Sequence, residues 1–411
     1  ASVRRKGPKM KRRWQESTIV RERIREMFVA FGLILALGVI FGYVFFLPLT
    51  WPTRLALALT VYALASRVAI LRYFFGGVGG IEAPKWLLYV TSFGQGLVVL
   101  LFILALIRLL AFGLCFLFSL GPGTWGRFFL AAKSVIFAPY GSVGLLILAS
   151  LLSAQALYQA GRVPKVVKTE IALSSWPQAL NGLTLAILAD AHISRFFDRP
   201  WVEEVVKRTM AEKPDLILLP GDLVDGSVSQ RADDVAPLAN LKAPYGVYAI
   251  DGNHEYYSGL LEWLPVFEKL GLKTLSNSHV VIFPKGSPLV LAGVTDLTAL
   301  EPRFNLPGPD LAKALDGAPN APVILMEHRP VRARLNAKDP RVILQLSGHT
   351  HGGMLPILKT LVARVNDGFV VGCYNVADLK LFVAPGLGLW NGFPMRLFDP
   401  SEISFLTIYS T

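Results

Sequence analysis

Five of the six histidines in this 411-residue chain fall in short polar clusters, each placed directly after an apolar run. In chain order these are Asp190-Ala191-His192, Gly221-Asp222-Leu223-Val224-Asp225, Gly252-Asn253-His254-Glu255, Glu327-His328-Arg329-Pro330 and Gly348-His349-Thr350-His351-Gly352-Gly353. Singly, each has an ordinary explanation. Asp-x-His suits a loop or helix cap, and Gly-Asp-x-x-Asp suits a turn whose Asp residues bond their own backbone. His-Thr-His after a strand is stronger, because extended geometry puts its outer side chains on one face. Together, in this order, they read as a metal site. Carboxylate and amide oxygens mixed with imidazoles suit Mn²⁺ first, with Fe or Zn²⁺ as alternatives, rather than Ca²⁺. The sixth, His279, stands beside Asn277 and Ser278 and reads as an exposed turn residue.

Such residues need rigid elements to converge. Residues 183–190, 215–219, 246–250, 289–294, 323–326 and 341–346 are short apolar runs bounded by turn residues, as buried strands are. Residues 201–213 and 260–270 carry apolar side chains at helical spacing, and 368–376, 380–384 and 403–409 read as three further strands. Strands alternating with helices make an α/β domain, in which ligands gather at the carboxyl ends of the strands.

The first 160 residues are different in kind. Stretches 27–49, 55–75, 86–118 and 128–158 are apolar and long enough to span a bilayer, which takes about 20 helical residues. The third could contain a break near Gly94 or Gly113. The expected division is a basic tail over 1–26, about four transmembrane helices over 27–160 and a soluble domain over 161–411. The net charge of +12 follows this division. Residues 1–26 hold ten Lys/Arg against three Glu, residues 27–160 seven against Glu82 alone, and residues 161–411 twenty-four against twenty-five Asp/Glu. The soluble part thus lacks the basic bias of a nucleic-acid-binding domain, and no nucleic-acid partner is expected. The basic cluster ahead of the first span favours the cytoplasmic side, and an even number of spans returns the soluble domain there. A multi-pass protein of a bacterial inner membrane, with the bilayer as partner, is the expectation. Arg67 and Arg108 fall near expected span ends and read as headgroup anchors. Cys115 and Cys373 are too few for a disulfide framework and read as buried thiols.

The five blocks resemble the motif series of the metallophosphoesterase (calcineurin-like phosphoesterase) superfamily over residues 165–411. The tail Gly386-Leu387-Gly388, Gly392-Phe393-Pro394-Met395-Arg396 and Pro400-Ser401-Glu402-Ile403 looks like its membrane-associated subgroup with YkuE- or YaeI-type domains. The resemblance implies a four-layer αββα sandwich holding two divalent metal ions. Asp190, His192 and His351 would hold the first, Asn253, His328 and His349 the second, and Asp222 would bridge them. His254 would serve the leaving group, supported by Asp225 or Glu255. A metal pair of this kind activates water and clamps phosphoryl oxygens, so the expected reaction is phosphoester or pyrophosphate hydrolysis.

Expectations about the substrate come from fewer residues. Arg396, then Arg195 and Arg329, are candidates for bidentate phosphate contact. Phe196, Phe197, Trp201, Trp390 and Phe393 read first as packing and second as an acyl-chain groove. Several spans exceed what an anchor requires, which favours a lipid-linked substrate. The alternatives are a tethered nucleotide or nucleic-acid phosphodiesterase and a non-catalytic sensor of a phosphorylated ligand.

Overall fold

A computed structural model describes residues 30–44, 47–77, 79–120, 124, 126–129, 131, 139–390 and 392–411. The basic tail, the first residues of the first expected span and residues 132–138 of the fourth lie outside these. The chain divides into two compact units, one within Ala1–Phe75 and Ala83–Tyr158, the other Gly76–Glu82 with Gln159–Thr411. The short segment Gly76–Glu82 therefore groups with the second unit, although its sequence neighbours belong to the first.

In the first unit, α1 (Ala30–Gly42), α2 (Trp51–Ala65), α3 (Arg67–Phe75), α4 (Lys85–Ser119) and α5 (Pro139–Gly161) are helical. Among the described residues two helices, α4 and α5, are long and apolar enough to cross a membrane, and α2 with α3 makes a third if that pair, bent by 68°, is one span. Helix α4 runs unbroken through Gly94 and Gly113. Small residues let these helices approach closely: a Cβ at Gly94 would lie 2.5 Å from Leu64, and one at Gly38 2.2 Å from Phe102. The two arginines depart from the anchoring expectation. Arg67 is buried, with Nε donating to Thr91 at 2.9 Å, and Arg108 is buried, donating to Ser142 at 3.0 Å. Polar partners on neighbouring helices hold these cations, and lateral packing of that kind is not visible in hydropathy.

The second unit contains two six-stranded sheets. The first, in the order β1-β12-β2-β3-β4-β5, uses Lys165–Leu173, Glu402–Ser410, Leu183–Ile187, Leu216–Pro220, Val247–Ile250 and Lys273–Thr274. The second, in the order β10-β11-β9-β8-β7-β6, uses Gly372–Val376, Leu379–Val383, Val342–Ser347, Val323–Met326, Leu289–Gly293 and Ser278–Ile282. β2 to β5 are parallel, as are β7, β8, β9 and β11, while β6 and β10 close the second sheet as antiparallel edges.

Alternation along the strands builds the layers. Leu185, Ile187, Leu216, Leu218, Leu291, Ile324, Leu344 and Leu346 meet in one core shared by both sheets. Their neighbours Val290, Ala292, Val323, Leu325, Val342, Leu381 and Val383 pack on the other face of the second sheet with Ala314, Leu315 and Ala333 from short helices. Burial on both faces explains why these strands read as continuous apolar runs. On the first sheet the outer cover is α6 (Arg199–Ala211), whose Trp201, Val202, Val205, Val206 and Thr209 form one buried stripe. The result is a four-layer αββα sandwich. His279 lies in strand β6 rather than a turn, and its Nδ1 donates to the Ala314 carbonyl at 2.8 Å. Cys115 and Cys373 are free thiols, but neither is fully buried: Cys115 is half-buried and Cys373 is exposed on the edge strand β10.

Candidate metal centre

The polar clusters follow the carboxyl ends of strands in both sheets: β2, β3 and β4 in the first, β8 and β9 in the second. Backbone bonds tie their loops together. Asp190 N donates to Gly221 O at 3.1 Å and His192 N to Asp222 O at 3.0 Å, while Gly348 N donates to His328 O at 2.9 Å. Five of the metal-ligating candidates take a left-handed backbone: Asp190 (φ 52°), His192 (45°), Asp222 (54°), His349 (69°) and His351 (50°). Non-glycine residues in that region cost free energy, and such strain gathers where function requires a particular side-chain direction.

The side chains converge in two triads, Asp190–His192–His351 and Asp222–His328–His349, each with ligand atoms within 4.8 Å of one another. Asp222 lies between the two: its Oδ2 is 3.2 Å from His328 Nε2 and 3.7 Å from His192 Nε2. Nε2 atoms of His192 and His351 face each other at 3.2 Å. His328 Nδ1 donates to Pro220 O at 2.9 Å, which directs Nε2 inward. Asn253 Oδ1 and His351 Nδ1 are buried without a hydrogen-bond partner. Buried polar atoms left unsatisfied are costly, so these fit a divalent ion. Electrostatics agree at two of the histidines, whereas at His328 burial is outweighed by Asp222 and Asp190, which raise the imidazole to about 10. Burial, with positive charge nearby, pushes the His349 imidazole down to about 3 and holds His351 well below its usual value. Both are thus neutral, the state that ligates metal. Burial pushes Asp222 up, but the imidazoles of His328, His254 and His192 outweigh it and leave the carboxylate well below its usual range.

Beside the triads is a third group. Asp225 is bound through Oδ1 to His254 Nδ1 at 2.5 Å, and its Oδ2 is 3.3 Å from His192 Nδ1. His254 retains partial exposure and stacks edge-on to Tyr257. Glu255, in the four-residue block that supplied Asn253 and His254, accepts the backbone N–H groups of Gly252, Asp222, Leu223 and Val224 at 2.6–3.2 Å. It is a buttress for the β3 loop, and Asp225 is the group that holds His254. Glycine is required here for space. A Cβ at Gly252 would lie 2.2 Å from Asp222 Oδ1, and one at Gly348 2.4 Å from Asp190 Oδ2. Gly252→Ala is expected to displace Asp222 and weaken metal binding about tenfold or more. Metal titration of the purified variant checks this, and unchanged affinity would contradict it.

The arginines depart from expectation. Arg396 is fully buried and donates to backbone oxygens of His351 (3.0 Å), Pro385 (2.6 Å), Gly388 (3.0 Å) and Asp399 (3.4 Å). It is therefore a clamp, not a phosphate contact. It pins the Gly386–Gly388 loop, whose Leu387 and Gly388 N–H groups donate to Ala189 O and Asp190 O at 2.9 and 2.8 Å. Arg329 is engaged with Asp296 Oδ2 at 2.9 Å and Thr298 Oγ1 at 2.7 Å. Arg195 is exposed, three residues beyond His192. Phe196, Phe197 and Trp201 are buried against one another, as packing residues are, whereas Trp390 is half-buried with its ring 6.2 Å from that of His351.

Residues 183–353 match the family description "Calcineurin-like phosphoesterase". Over 270 residues the chain is 36% identical to a Danio rerio protein named "Transmembrane protein with metallophosphoesterase domain", covering 64% of this chain and 61% of that protein. It is also 34% identical over 221 residues to an "Uncharacterized metallophosphoesterase" of Aquifex aeolicus, covering 54% of this chain and 82% of that one. A third relative, the "Uncharacterized metallophosphoesterase YkuE" of Bacillus subtilis, is 30% identical over 245 residues, covering 57% of this chain and 82% of that one. The chain spans less than two thirds of the length of the Danio rerio relative. The blocks that converge here all lie inside the matched region, and the chain belongs to the calcineurin-like phosphoesterase family.

Proposed function

We propose that the chain is a dinuclear-metal hydrolase cleaving a phosphodiester or pyrophosphate bond in a lipid-linked substrate. The observation that carries the chemistry is a pair of carboxylate–imidazole triads in which Asp222 of one lies 3.7 Å from His192 of the other, with the Asp225–His254 pair alongside. Two divalent ions, Mn²⁺ by preference, would supply Lewis acidity and an activated water there. Asp190, His192 and His351 would hold one ion, Asn253, His328 and His349 the other, and Asp222 both. His254, kept charged by Asp225, stabilises negative charge and donates a proton to the leaving oxygen. Arg195 is free to meet a phosphate.

The lipid part of the reading rests on two features. One is the set of helices apolar enough to cross a membrane. The other lies in the second unit, where the helix α7 (Pro356–Val365) follows directly on the His351 block and buries no residue. Its Ile357, Leu361 and Val365 are exposed, as is Phe398 on the loop joined to it by the Lys359–Asp399 ion pair at 2.7 Å. Solvent-facing apolar side chains at this spacing suit an interfacial helix. We place the chain in a bacterial inner membrane with the second unit on the cytoplasmic side, as the basic residues ahead of the spans favour. The test compares turnover by Mn²⁺-loaded full-length chain on lipid-linked phosphodiesters and pyrophosphates with that on soluble nucleotides. Lipid-linked substrates are expected to have kcat/KM higher by about tenfold or more; the reverse preference would support a tethered nucleotide phosphodiesterase.

A further inference from the structure

Glu82 is the lone carboxylate between residues 27 and 160, and the chemistry proposed above does not use it. Its surroundings belong to the catalytic unit. Gly76–Glu82 groups with Gln159–Thr411, Gly76 and Ile81 form an antiparallel bridge, and Ile81 is 1% exposed. Glu82 Oε2 pairs with Arg231 Nη2, 149 residues along the chain. The Arg231 side chain is only 2% exposed. Its Nη1 donates to Asp234 Oδ2 at 3.0 Å, and its Nε donates to the backbone oxygen of Asp225 at 3.3 Å. Asp225 is the residue whose carboxylate holds His254.

The same segment reaches that backbone a second way. A Cβ at Gly79, where φ is +73°, would lie 2.4 Å from Ser258 Oγ and 3.1 Å from Gly226 N. Ser258 Oγ in turn accepts from Gly226 N and donates to Val224 O, both at 3.1 Å. A Cβ at Gly80 would lie 3.4 Å from Asp225 O. The Val224–Gly226 backbone is therefore held by Arg231 and by Ser258, and Gly76–Glu82 packs on both.

We infer that Glu82, through Arg231, is a positioning residue that fixes Asp225 and hence the direction in which His254 meets the leaving group. The inference rests on the reading of His254 as the proton donor. Without the Glu82 carboxylate, the buried guanidinium keeps Asp234 as its ion-pair partner and the Gln230 carbonyl, both on Nη1, and turns toward them, releasing the Asp225 carbonyl. Small misplacements of a catalytic group cost rate without costing ground-state binding.

The experiment uses full-length Glu82→Gln and Glu82→Asp in detergent, loaded with Mn²⁺, beside wild type and His254→Asn. Substrates are aryl phosphodiesters whose leaving phenols span a range of pKa. For Glu82→Gln the expected result is a kcat about ten- to a hundredfold lower with KM nearly unchanged. The loss should grow as the leaving phenol becomes more basic, in parallel with that of His254→Asn. Metal content should stay at the wild-type level, and hydrogen exchange should quicken across residues 223–231. Glu82→Asp, which keeps the charge but shortens the reach, should lie between and decides the matter if Glu82→Gln does not fold. Wild-type kcat in a folded variant, or a loss equal for every leaving group, would overturn the inference. A His254→Asn variant with undiminished kcat would instead remove the reading of His254 beneath it.

Discussion

Asp222→Ala should abolish turnover and lower the bound metal from two ions per chain to one or none. Asp222 is 1% exposed, belongs to one triad and reaches the other, 3.2 Å from His328 Nε2 and 3.7 Å from His192 Nε2. Its removal leaves two half-sites without shared charge. Lewis-acid stabilisation of several kcal/mol disappears, which corresponds to a fall in kcat on the order of 10³-fold or more. Asp222→Asn, nearly the same shape but uncharged, should fail in the same way, separating charge from packing. Elemental analysis of metal per chain, alongside kcat, checks both. Retention of two ions by either variant would show that Asp222 bridges nothing.

His254→Asn should behave in the opposite sense toward metal, keeping both ions and losing about 10²- to 10⁴-fold in kcat, the usual worth of a positioned proton donor. Burial pushes the His254 imidazolium down, but the carboxylates of Asp225 and Asp222 outweigh this and raise it to about 9. An acid so poised is protonated below that value. Activity that depends on it should hold through neutral pH and fall as pH rises through the pKa. Asp225→Asn removes the negative neighbour that favours the charged ring, so the alkaline limb should move to lower pH. A pH–rate profile for kcat measures this, and an unmoved alkaline limb in Asp225→Asn would show that Asp225 does not set the protonation of His254.

The ligands were legible because their types are rare and their positions regular. Asp190, Asp222, Asn253, His328 and His349 each follow a run such as Leu216–Pro220, whose burial on both faces marks it as an inner strand. What the sequence hid was long-range. Arg396 has the type suited to phosphate, yet four carbonyls claim its donors, three from the stretch between β11 and β12 and one from His351. Glu255 looked like a neighbour of His254 and proved to hold the Asp222 loop by its backbone. Strand β1 is an edge, largely exposed and carrying Lys165, Lys168 and Glu170, and β6 is short and half-buried, so His279 passed for a turn residue. The pairing of Glu82 with Arg231 joins parts of the chain that hydropathy assigns to different domains. No local pattern announces a contact of that kind, and the left-handed backbone at five of the ligand positions is likewise set by tertiary structure rather than residue type.

The most direct test of the central claim is a titration of metal-free, full-length chain with Mn²⁺, following bound metal and hydrolysis of bis-p-nitrophenyl phosphate together. The account requires two ions per chain, with turnover appearing as the second is bound and absent from Asp222→Ala throughout. A folded chain that saturates at one ion, or that binds two and releases no p-nitrophenol, would contradict it.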